Sequence, residues 1–199
     1  MMLPKYSIII PAHNAEDCLG RCLDSVVSQK YRNWELLVVC DACTDKTADV
    51  VRKYGEKPII VDYQRDGLAR NAGLDAARGE WVLFLDADDW WLHEYVLTQL
   101  DSALVPAWDI LFFSFIWKGQ GYFSQDQHKH YVAVWNKCWR REFIGDTRFN
   151  DVYGVSDMYF DRDMLAKNPK CAYWDMPFYY YNYLHEGSIN WKRVMGEQQ

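Results

Sequence analysis

The chain has 199 residues, half of them apolar, and a formal net charge of −6 at pH 7. A chain of this length buries enough apolar surface to fold as one domain without disulfide or metal cross-links. The acidic balance argues against a nucleic-acid partner, because phosphate backbones are bound by clustered Lys and Arg. No stretch reaches the roughly 18 apolar residues of a membrane span, and no signal-peptide pattern is present. We therefore expect a cytoplasmic protein, with peripheral membrane association left open.

The first hundred residues alternate short apolar runs with helical patterns, which is typical of parallel strands joined by crossover helices. The predicted strands cover residues 6–10, 35–39, 58–61 and 81–85, and the predicted helices cover 15–29, 45–54 and 68–77. Such a sheet binds ligands beyond the carboxyl ends of its strands, where Asn14, Asp41 and residues 86–89 emerge.

The second half of the chain has a less regular pattern. It predicts a helix up to about Ala103, a strand over residues 110–115, a turn near Gly119 and Gly121, and helices over 134–143 and 157–165. We find no linker, repeat or low-complexity stretch. Residues 1–199 are therefore predicted to form a single α/β domain, with a mostly parallel sheet flanked by helices.

Three carboxylates, Asp86, Asp88 and Asp89, directly follow the predicted strand 81–85. One interpretation is a solvated turn in which Asp88 or Asp89 caps the next helix. The other is a site for Mg²⁺ or Mn²⁺, hard cations that prefer oxygen ligands and bridge diphosphates. A cation would also relieve the repulsion between these carboxylates.

Four of the six cysteines lie in two pairs. Cys18 and Cys22 are about one helical turn apart, and Cys40 and Cys43 flank Asp41 and an alanine. If the pairs converged they would form a four-thiolate zinc site, although Cys18 and Cys22 equally fit the buried face of a helix. Disulfides are not expected in a cytosolic chain.

Four stretches of the first half, residues 7–14, 38–45, 69–73 and 84–89, resemble the ordered motifs of the family 2 glycosyltransferases. The resemblance implies the GT-A fold, a Rossmann-like α/β architecture. It also implies a nucleotide-sugar-binding half at residues 1–91 and an acceptor-side half at residues 92–199. The donor-binding residues it implies are Pro11, His13, Asn14, Asp41, Arg70 and Asp86.

In the same resemblance Asp88 holds the metal, Arg70 lies near the diphosphate, and Asp41 accepts a hydrogen bond from the base. His185 is a further candidate for the metal or diphosphate, although a lone histidine is more often a surface or core residue. Where the family has two adjacent Asp followed by Gly-Ser, this chain has Cys40-Asp41-Ala42-Cys43. That departure concerns the wall of the nucleoside pocket.

The second half resembles polysaccharide-synthesising members of the family at residues 134–144, 179–181 and 187–189. The predicted acceptor-side residues are Asp89, Trp90, Trp91 and Lys137. The two tryptophans equally fit a hydrophobic plug at the start of a helix, and Lys137 equally fits a solvated helix face.

The resemblance also implies an acidic base after the Lys-containing segment, and the matching position is Asp157. Asp151 and Asp161 are the fallback candidates. Asp157 equally fits the N-cap of the helix predicted over 157–165. The family often has Glu before this base, whereas the chain has Ser156.

The residues and the resemblance together predict a metal-dependent, inverting glycosyltransferase that moves a hexose or N-acetylhexosamine from a nucleoside diphosphate, with UDP favoured, to a saccharide or lipid-linked saccharide acceptor. The resemblance alone implies surface-polysaccharide or lipopolysaccharide synthesis as the pathway. The alternative is a catalytically weakened sugar-nucleotide-binding module. A nucleotidyltransferase is disfavoured because no Gly-rich, Arg-containing loop follows the first strand. An NAD-dependent enzyme is disfavoured because the G-x-G-x-x-G motif is absent there.

Overall fold

A computed structural model of the chain describes residues 3–128 and 131–183. The strands are β1 (Tyr6–Ala12), β2 (Trp34–Asp41), β3 (Ile59–Val61), β4 (Trp81–Phe84), β5 (Trp90–Trp91), β6 (Ile110–Trp117), β7 (Gly121–Phe123), β8 (Lys137–Arg140) and β9 (Cys171–Tyr181). The helices are α1 (Leu19–Val27), α2 (Thr47–Lys53), α3 (Asp66–Ala76), α4 (Val96–Ala103), α5 (Arg141–Ile144) and α6 (Ser156–Ala166). Over these residues the strands form one sheet in the order β3-β2-β1-β4-β8-β6-β9-β5, and β7 pairs with β6.

The N-terminal strands β3, β2, β1 and β4 pair in parallel, as the sequence predicts. β1 is an almost continuous apolar run because both of its faces are covered, which is the rule for parallel strands with helical crossovers. The crossover helix α3 packs closely over β1 at Gly73, where an added Cβ would lie 2.3 Å from Ile9 Cγ2. The α/β fold is thus confirmed in the part that carries the motifs.

The second half extends this sheet with antiparallel strands. β8 pairs antiparallel with both β4 and β6, while β9 runs parallel to β6 with an irregularity around Ser114. The short strand β5, which directly follows the acid cluster, pairs antiparallel with β9. The sheet as a whole is therefore mixed, and the mostly parallel arrangement applies to its N-terminal part.

The helix predicted over residues 134–143 is wrong, because residues 137–140 form β8 and only the four-residue α5 follows. β8 lies between two other strands, and its residues Lys137, Cys138 and Trp139 are all buried. A strand covered on both faces has no alternating pattern, so a short apolar run cannot be distinguished from a helix by its periodicity. The helix predicted over 157–165 is confirmed as α6.

Candidate active site

The acid cluster lies in the loop between β4 and β5, and its three carboxylates have different environments. Asp89 points into the protein, where it is 1% exposed. It accepts hydrogen bonds from the Tyr179 hydroxyl at 2.5 Å and the Asn182 backbone N–H at 2.7 Å. Burial raises the pKa of Asp89 well above its ordinary value. The prediction that Asp89 contacts the acceptor is wrong, because this side chain instead fastens the loop to the end of β9.

Asp88 is the carboxylate of the cluster with the fewest partners. Its backbone carbonyl accepts from Asn182 Nδ2 at 3.2 Å, and among the described residues its half-buried carboxylate accepts a hydrogen bond only from its own backbone N–H. Burial raises the pKa of Asp88. Neither Asp88 nor Asp89 caps α4, which begins at Val96 with Tyr95 as its N-cap. A carboxylate with so few partners among other acids fits a hard divalent cation.

Arg70 forms ion pairs with three further acids of the site. Its guanidinium lies 2.8 Å from Asp66, 2.8 Å from Asp86 and 3.3 Å from Asp157, and the side chain is only 6% exposed. Asp66 stands one helical turn before Arg70, and the other two carboxylates come from the acid loop and from α6. The predicted contact of Arg70 with the diphosphate does not fit this environment, because three carboxylates already surround the guanidinium.

Asp157, the candidate base, lies in the first turn of α6 with its side chain 23% exposed. Arg70 is within ion-pair distance of one of its oxygens, yet this buried oxygen accepts no hydrogen bond from residues 3–128 or 131–183. Burial raises the pKa of Asp157 to about 6. It does not cap its helix, because the N-cap is Val155. Asp157 is therefore a carboxylate that solvent reaches and that takes up a proton near neutral pH, as a general base requires.

The two fallback bases have other environments. Asp151 is exposed and forms an ion pair with Arg65 at 3.2 Å. Asp161 is 2% exposed and forms a buried ion pair with Lys137 at 3.0 Å. Lys137 is itself completely buried, so the prediction that it contacts the acceptor is wrong, as is its placement on a solvated helix face.

Four of the predicted donor-binding residues lie at the carboxyl ends of β1 and β2: Pro11, His13, Asn14 and Asp41. His13 Nδ1 lies 2.7 Å from the Asp41 carbonyl oxygen, and Asn14 Oδ1 accepts from the Thr44 N–H at 2.8 Å. Asn14 has φ of 46°, in the left-handed region that Asn tolerates better than most residues. The side chains of His13 and Asn14 are exposed, and Pro11 beside them is half-buried. The structure thus brings the first two motifs together at one solvent-exposed edge of the sheet, which is the candidate donor-binding edge.

Asp41 holds a second segment, residues 63–65, at this edge of the sheet. Its carboxylate accepts three backbone N–H groups, from Tyr63 at 2.6 Å, Gln64 at 2.9 Å and Arg65 at 2.9 Å. These bonds hold the turn before α3, in which Gln64 has φ of 58°. The sequence predicted Asp41 as a ligand of the base, whereas the structure shows that it organises the backbone of residues 63–65.

The two tryptophans after the acid loop differ in exposure. Trp91 is 3% exposed and belongs to the core, so its predicted place under an acceptor sugar is wrong. Trp90 is half-buried and stacks on Tyr180, with ring centroids 4.2 Å apart, while the Arg21 guanidinium lies 4.6 Å from its ring. The two side chains differ in exposure because β5 is a strand, in which neighbouring side chains point to opposite faces.

An aromatic wall continues beyond the acid loop and consists of Trp117, Tyr131, Trp135 and Tyr181. Trp135 stacks on Tyr179 with ring centroids 4.4 Å apart and lies 4.9 Å from Tyr181. Burial raises the pKa of Tyr181 above its ordinary value, and the charges of Tyr131 and of the acid loop add to this shift. Aromatic faces of this kind suit the apolar faces of sugar rings.

Other sequence predictions concern metals, cysteines and membranes. All six cysteines are free, and the described residues contain no group of three or more His, Cys, Asp or Glu side chains suited to a metal. The four-thiolate site is therefore not formed. His185 lies outside the described residues. In residues 3–128 and 131–183 no helix has the length and apolar character needed to cross a bilayer.

Sequence reasoning missed three residues that build the site. Tyr179 binds Asp89 through its hydroxyl and also accepts the Asp86 backbone N–H at 3.2 Å. Asn182 holds both Asp88 and Asp89. Asp66 accepts the Ser156 hydroxyl at 2.6 Å and so joins α3 to the start of α6. Tyr179 lies in a stretch that resembles the family, but nothing in the sequence pointed to its contact with the acid loop, and polarity was the only signal for Asn182 and Asp66. Their partners lie about 90 positions away.

This parallel α/β half, with carboxylates at its ligand-binding edge and an antiparallel extension, defines the GT-A class of proteins. The chain belongs to glycosyl transferase family 2, whose model matches residues 7–169. Over 94% of its length it is 26% identical to the glycosyltransferase GlyA of Streptococcus pneumoniae, of which it covers 31%. It is 29% identical over 92% of its length to the Escherichia coli UDP-Glc:alpha-D-GlcNAc-diphosphoundecaprenol beta-1,3-glucosyltransferase WfaP, of which it covers 79%.

Solved structures give the same fold. The S. aureus TarS fragment 1–349 in complex with UDP-GlcNAc matches 98% of this chain and 61% of its own length, with a TM-score of 0.81 and 23% identity. The mannosyltransferase PcManGT of Pyrobaculum calidifontis, in complex with GDP-Man and Mn²⁺, matches 100% of this chain and 66% of its own length, with a TM-score of 0.73 and 17% identity. The chain spans less than two thirds of the length of the first curated relatives it matches.

Proposed function

We propose that this chain transfers a sugar from a UDP-sugar to a saccharide acceptor, with inversion at the anomeric carbon and with a divalent cation. The observation that carries the proposal is that the acidic side chains of the site have different environments. Asp88, in the acidic loop, is bonded only to its own backbone N–H among the described residues, whereas Asp157 lies beside Arg70 with a pKa of about 6. Carboxylates whose environments set them apart in this way suit different roles in one reaction.

The donor would bind at the edge formed by residues 11–14 and by the turn that Asp41 holds. His13 and Asn14 offer an exposed ring and amide there. Asp86 lies next to this edge, and Arg70 keeps it in place. The preference for uridine rests on the relatives, since WfaP is named for UDP-Glc and the TarS structure contains UDP-GlcNAc.

Mg²⁺ or Mn²⁺ fits the site because Asp88 supplies a hard oxygen ligand. Such ions are usually held by one or two carboxylates together with substrate phosphates, so a protein cage of three ligands is not required. Asp88 would hold the ion, which would neutralise charge on the departing diphosphate. The PcManGT complex contains Mn²⁺, in agreement with this cofactor class.

Asp157 would take the proton from the acceptor hydroxyl as that oxygen attacks the anomeric carbon. The bond between the sugar and the diphosphate breaks on the opposite face, which gives inversion. Arg70 would keep the Asp157 carboxylate oriented, and its nearest contact there is 3.3 Å. Trp90 and the three half-buried rings of the aromatic wall, Trp117, Tyr131 and Tyr181, would bind the acceptor sugar, while the buried Trp135 supports them from behind.

The acceptor is proposed to be a saccharide of a surface polysaccharide or lipopolysaccharide, carried on a lipid. WfaP is named for an acceptor linked to diphosphoundecaprenol. We accordingly propose that the chain works on the cytoplasmic side, at the inner face of the membrane. The alternative is a weakened module that binds sugar nucleotides without turnover. Ser156 favours it, because the acidic neighbour that the family often has beside the base is absent here.

Calorimetric titration with UDP, GDP, CDP and dTDP, each with Mn²⁺ and again with EDTA, tests the donor site. We expect metal-dependent binding of UDP, which Asp88→Ala abolishes. Asp49→Ala is the matched control, because Asp49 is an exposed acid paired only with Arg52 among the described residues. Unaltered binding in Asp88→Ala would refute the metal assignment. Donor hydrolysis followed by NMR then separates the two candidate functions, and an α-configured product from an α-donor would refute inversion.

A further inference from the structure

Helix α1 is bonded to the acid loop and to β5 by one row of side chains. Cys22 Sγ lies 3.5 Å from the Asp86 carbonyl oxygen, and Ser25 Oγ accepts the Trp91 backbone N–H at 3.1 Å. Cys22 and Ser25 are three positions apart, so they share one face of the helix. Arg21 comes directly before Cys22 and is exposed. The helix therefore presents Arg21 to solvent beside the acid loop.

The Arg21 guanidinium lies over an aromatic pair, and the three residues Arg21, Trp90 and Tyr180 are called the Arg21 cluster. The two rings are stacked with centroids 4.2 Å apart and planes 12° apart, because Trp90 and Tyr180 are direct cross-strand partners of β5 and β9. The guanidinium carbon is 4.6 Å from the centre of the Trp90 ring. This contact attracts the cation to the face of the ring but gives its N–H donors no oxygen acceptor.

Arg21 differs from the other arginines in its lack of an oxygen partner. Within residues 3–128 and 131–183 every other arginine donates to a carboxylate or carbonyl oxygen, whereas the Arg21 guanidinium has no hydrogen bond and no ion pair. Arg162 is the nearest comparison, since it lies 4.9 Å from the Tyr159 ring but also donates to Asp163 at 2.9 Å. An exposed guanidinium without such a partner suits a phosphate group, which it binds through two parallel N–H donors.

The place of the Arg21 cluster indicates which substrate carries the phosphate. Trp90 follows Asp88 by two positions, so their Cα atoms lie within about 7 Å of each other. Tyr180 directly precedes Tyr181 of the aromatic wall, and neighbouring residues of a strand face opposite sides. The wall and the cluster therefore lie on the two sides of β9, beside β5 at the end of the sheet. A ligand that reaches both is extended, as a saccharide with a phosphate-linked carrier is.

We propose that the Arg21 cluster is a subsite for a phosphate group of the acceptor, between its sugar and its carrier. The assignment to the acceptor rests on the proposed function, whereas the binding of phosphate does not. Arg21 donates to the phosphate oxygens, and the ring pair packs against the neighbouring part of the acceptor. The chain has a net charge of −6 and the acid loop is adjacent, so this cation also offsets the repulsion between the loop and an anionic acceptor.

An NMR titration of the whole chain tests whether the cluster binds phosphate. The probe is glucose 1-phosphate, methyl glucoside is its neutral counterpart, and EDTA removes metal ions that would hold the phosphate elsewhere. The readout is the indole N–H signal of Trp90, assigned by its absence from Trp90→Phe. We expect glucose 1-phosphate to shift this signal and methyl glucoside to leave it in place. Arg21→Gln should abolish the shift, and the control Arg162→Gln should behave as the wild type does.

Turnover then tests whether the phosphate belongs to the acceptor. The acceptors are a saccharide linked through diphosphate to an alkyl chain and the alkyl glycoside of the same saccharide, each with a UDP-sugar and Mn²⁺. In Arg21→Gln we expect the KM of the phosphate-bearing acceptor to rise at least about tenfold, or about 1.4 kcal/mol. The KM of the neutral acceptor and the affinity for UDP should stay unchanged. Arg21→Lys keeps the cation and should recover part of the loss.

Each outcome decides one part of the proposal. A Trp90 shift that depends on Arg21, together with the selective rise in KM, supports it. Absence of the shift, or its persistence in Arg21→Gln, overturns the phosphate subsite. Weaker UDP binding in Arg21→Gln with unchanged acceptor KM overturns the assignment to the acceptor, because the phosphate is then the donor's. Absence of turnover with both acceptors counts against the proposed function, while the titration still decides whether Arg21 binds phosphate.

Discussion

Replacement of Asp157 by Asn removes the charge of the candidate base and nearly preserves its size. In the folded chain burial raises the pKa of Asp157 to about 6, against 3.8 for an unperturbed carboxyl. At about 1.36 kcal/mol for each pKa unit, the folded state disfavours the ionised side chain by about 3 kcal/mol. Arg70 remains held by Asp66 and Asp86 in the variant, so the guanidinium is not left unpaired.

The direction in which this stability difference changes with pH follows from proton binding. The folded chain binds this proton more tightly than the unfolded chain, so the stability contributed by the neutral form is present below pH 3.8 and is lost as pH rises through about 6. Asn cannot ionise and does not suffer this loss. We therefore expect Asp157→Asn to be more stable than the wild type by up to about 3 kcal/mol at about pH 8, with the gain shrinking towards pH 4.

Urea unfolding of both proteins at several pH values between about 4 and 8 measures this difference. Asp163→Asn, an exposed acid on the same helix, is the matched control and is expected to show no such trend. Turnover of the donor should fall by roughly 10²–10⁴-fold in Asp157→Asn, the usual contribution of a general base. A stability difference that is constant with pH, or a variant less stable than the wild type at about pH 8, would refute the reasoning.

Three further changes test the surroundings of the base. Lys137→Met leaves the buried Asp161 without its ion-pair cation, so urea unfolding should show a loss of about 3–5 kcal/mol, which Asp161→Leu in the same chain should largely restore. Tyr179→Phe removes the hydroxyl that holds the acid loop, and we expect a loss of about 1–3 kcal/mol in the same assay together with weaker metal-dependent nucleotide binding. Asp66→Asn removes a negative charge that raises the pKa of Asp157, so the acid limb of the donor-hydrolysis rate should move to lower pH, and an unmoved limb would contradict this coupling.

The N-terminal half of the fold could be predicted because its signals are local. The strand predicted over residues 6–10 is part of β1, and the acids after β4 lie where a parallel sheet binds its ligands. The helix predicted over 68–77 appears as α3, two residues displaced at its start. In each case an apolar run or a helical period was sufficient, because both depend on neighbours within a few positions.

The second half could not be predicted to the same depth, because its structure depends on what covers each residue. In the sequence Lys137 resembles a surface residue. Its complete burial is explained by the position of β8, by the ion pair with Asp161 and by the carbonyl oxygens of Tyr131 and Ala133, which accept from its ammonium group. In the sequence Asp89 is one of three similar acids, and only its distant partners Tyr179 and Asn182 distinguish its carboxylate from that of Asp88. A sequence pattern shows which residues are polar, but it does not show which of them are buried with an ion-pair or hydrogen-bond partner.

The hydrogen bonds from the end of β9 to the acid loop affect the order in which the parts of the chain fold during synthesis. Asp89 takes its partners from residues 90 and 93 positions further along the chain. During synthesis the parallel half has emerged long before those partners exist, and the closing of so long a loop is slow compared with local folding. The acid loop is therefore expected to reach its final shape last, so that a nascent chain lacks the arrangement of acids seen here until β9 has paired with β6.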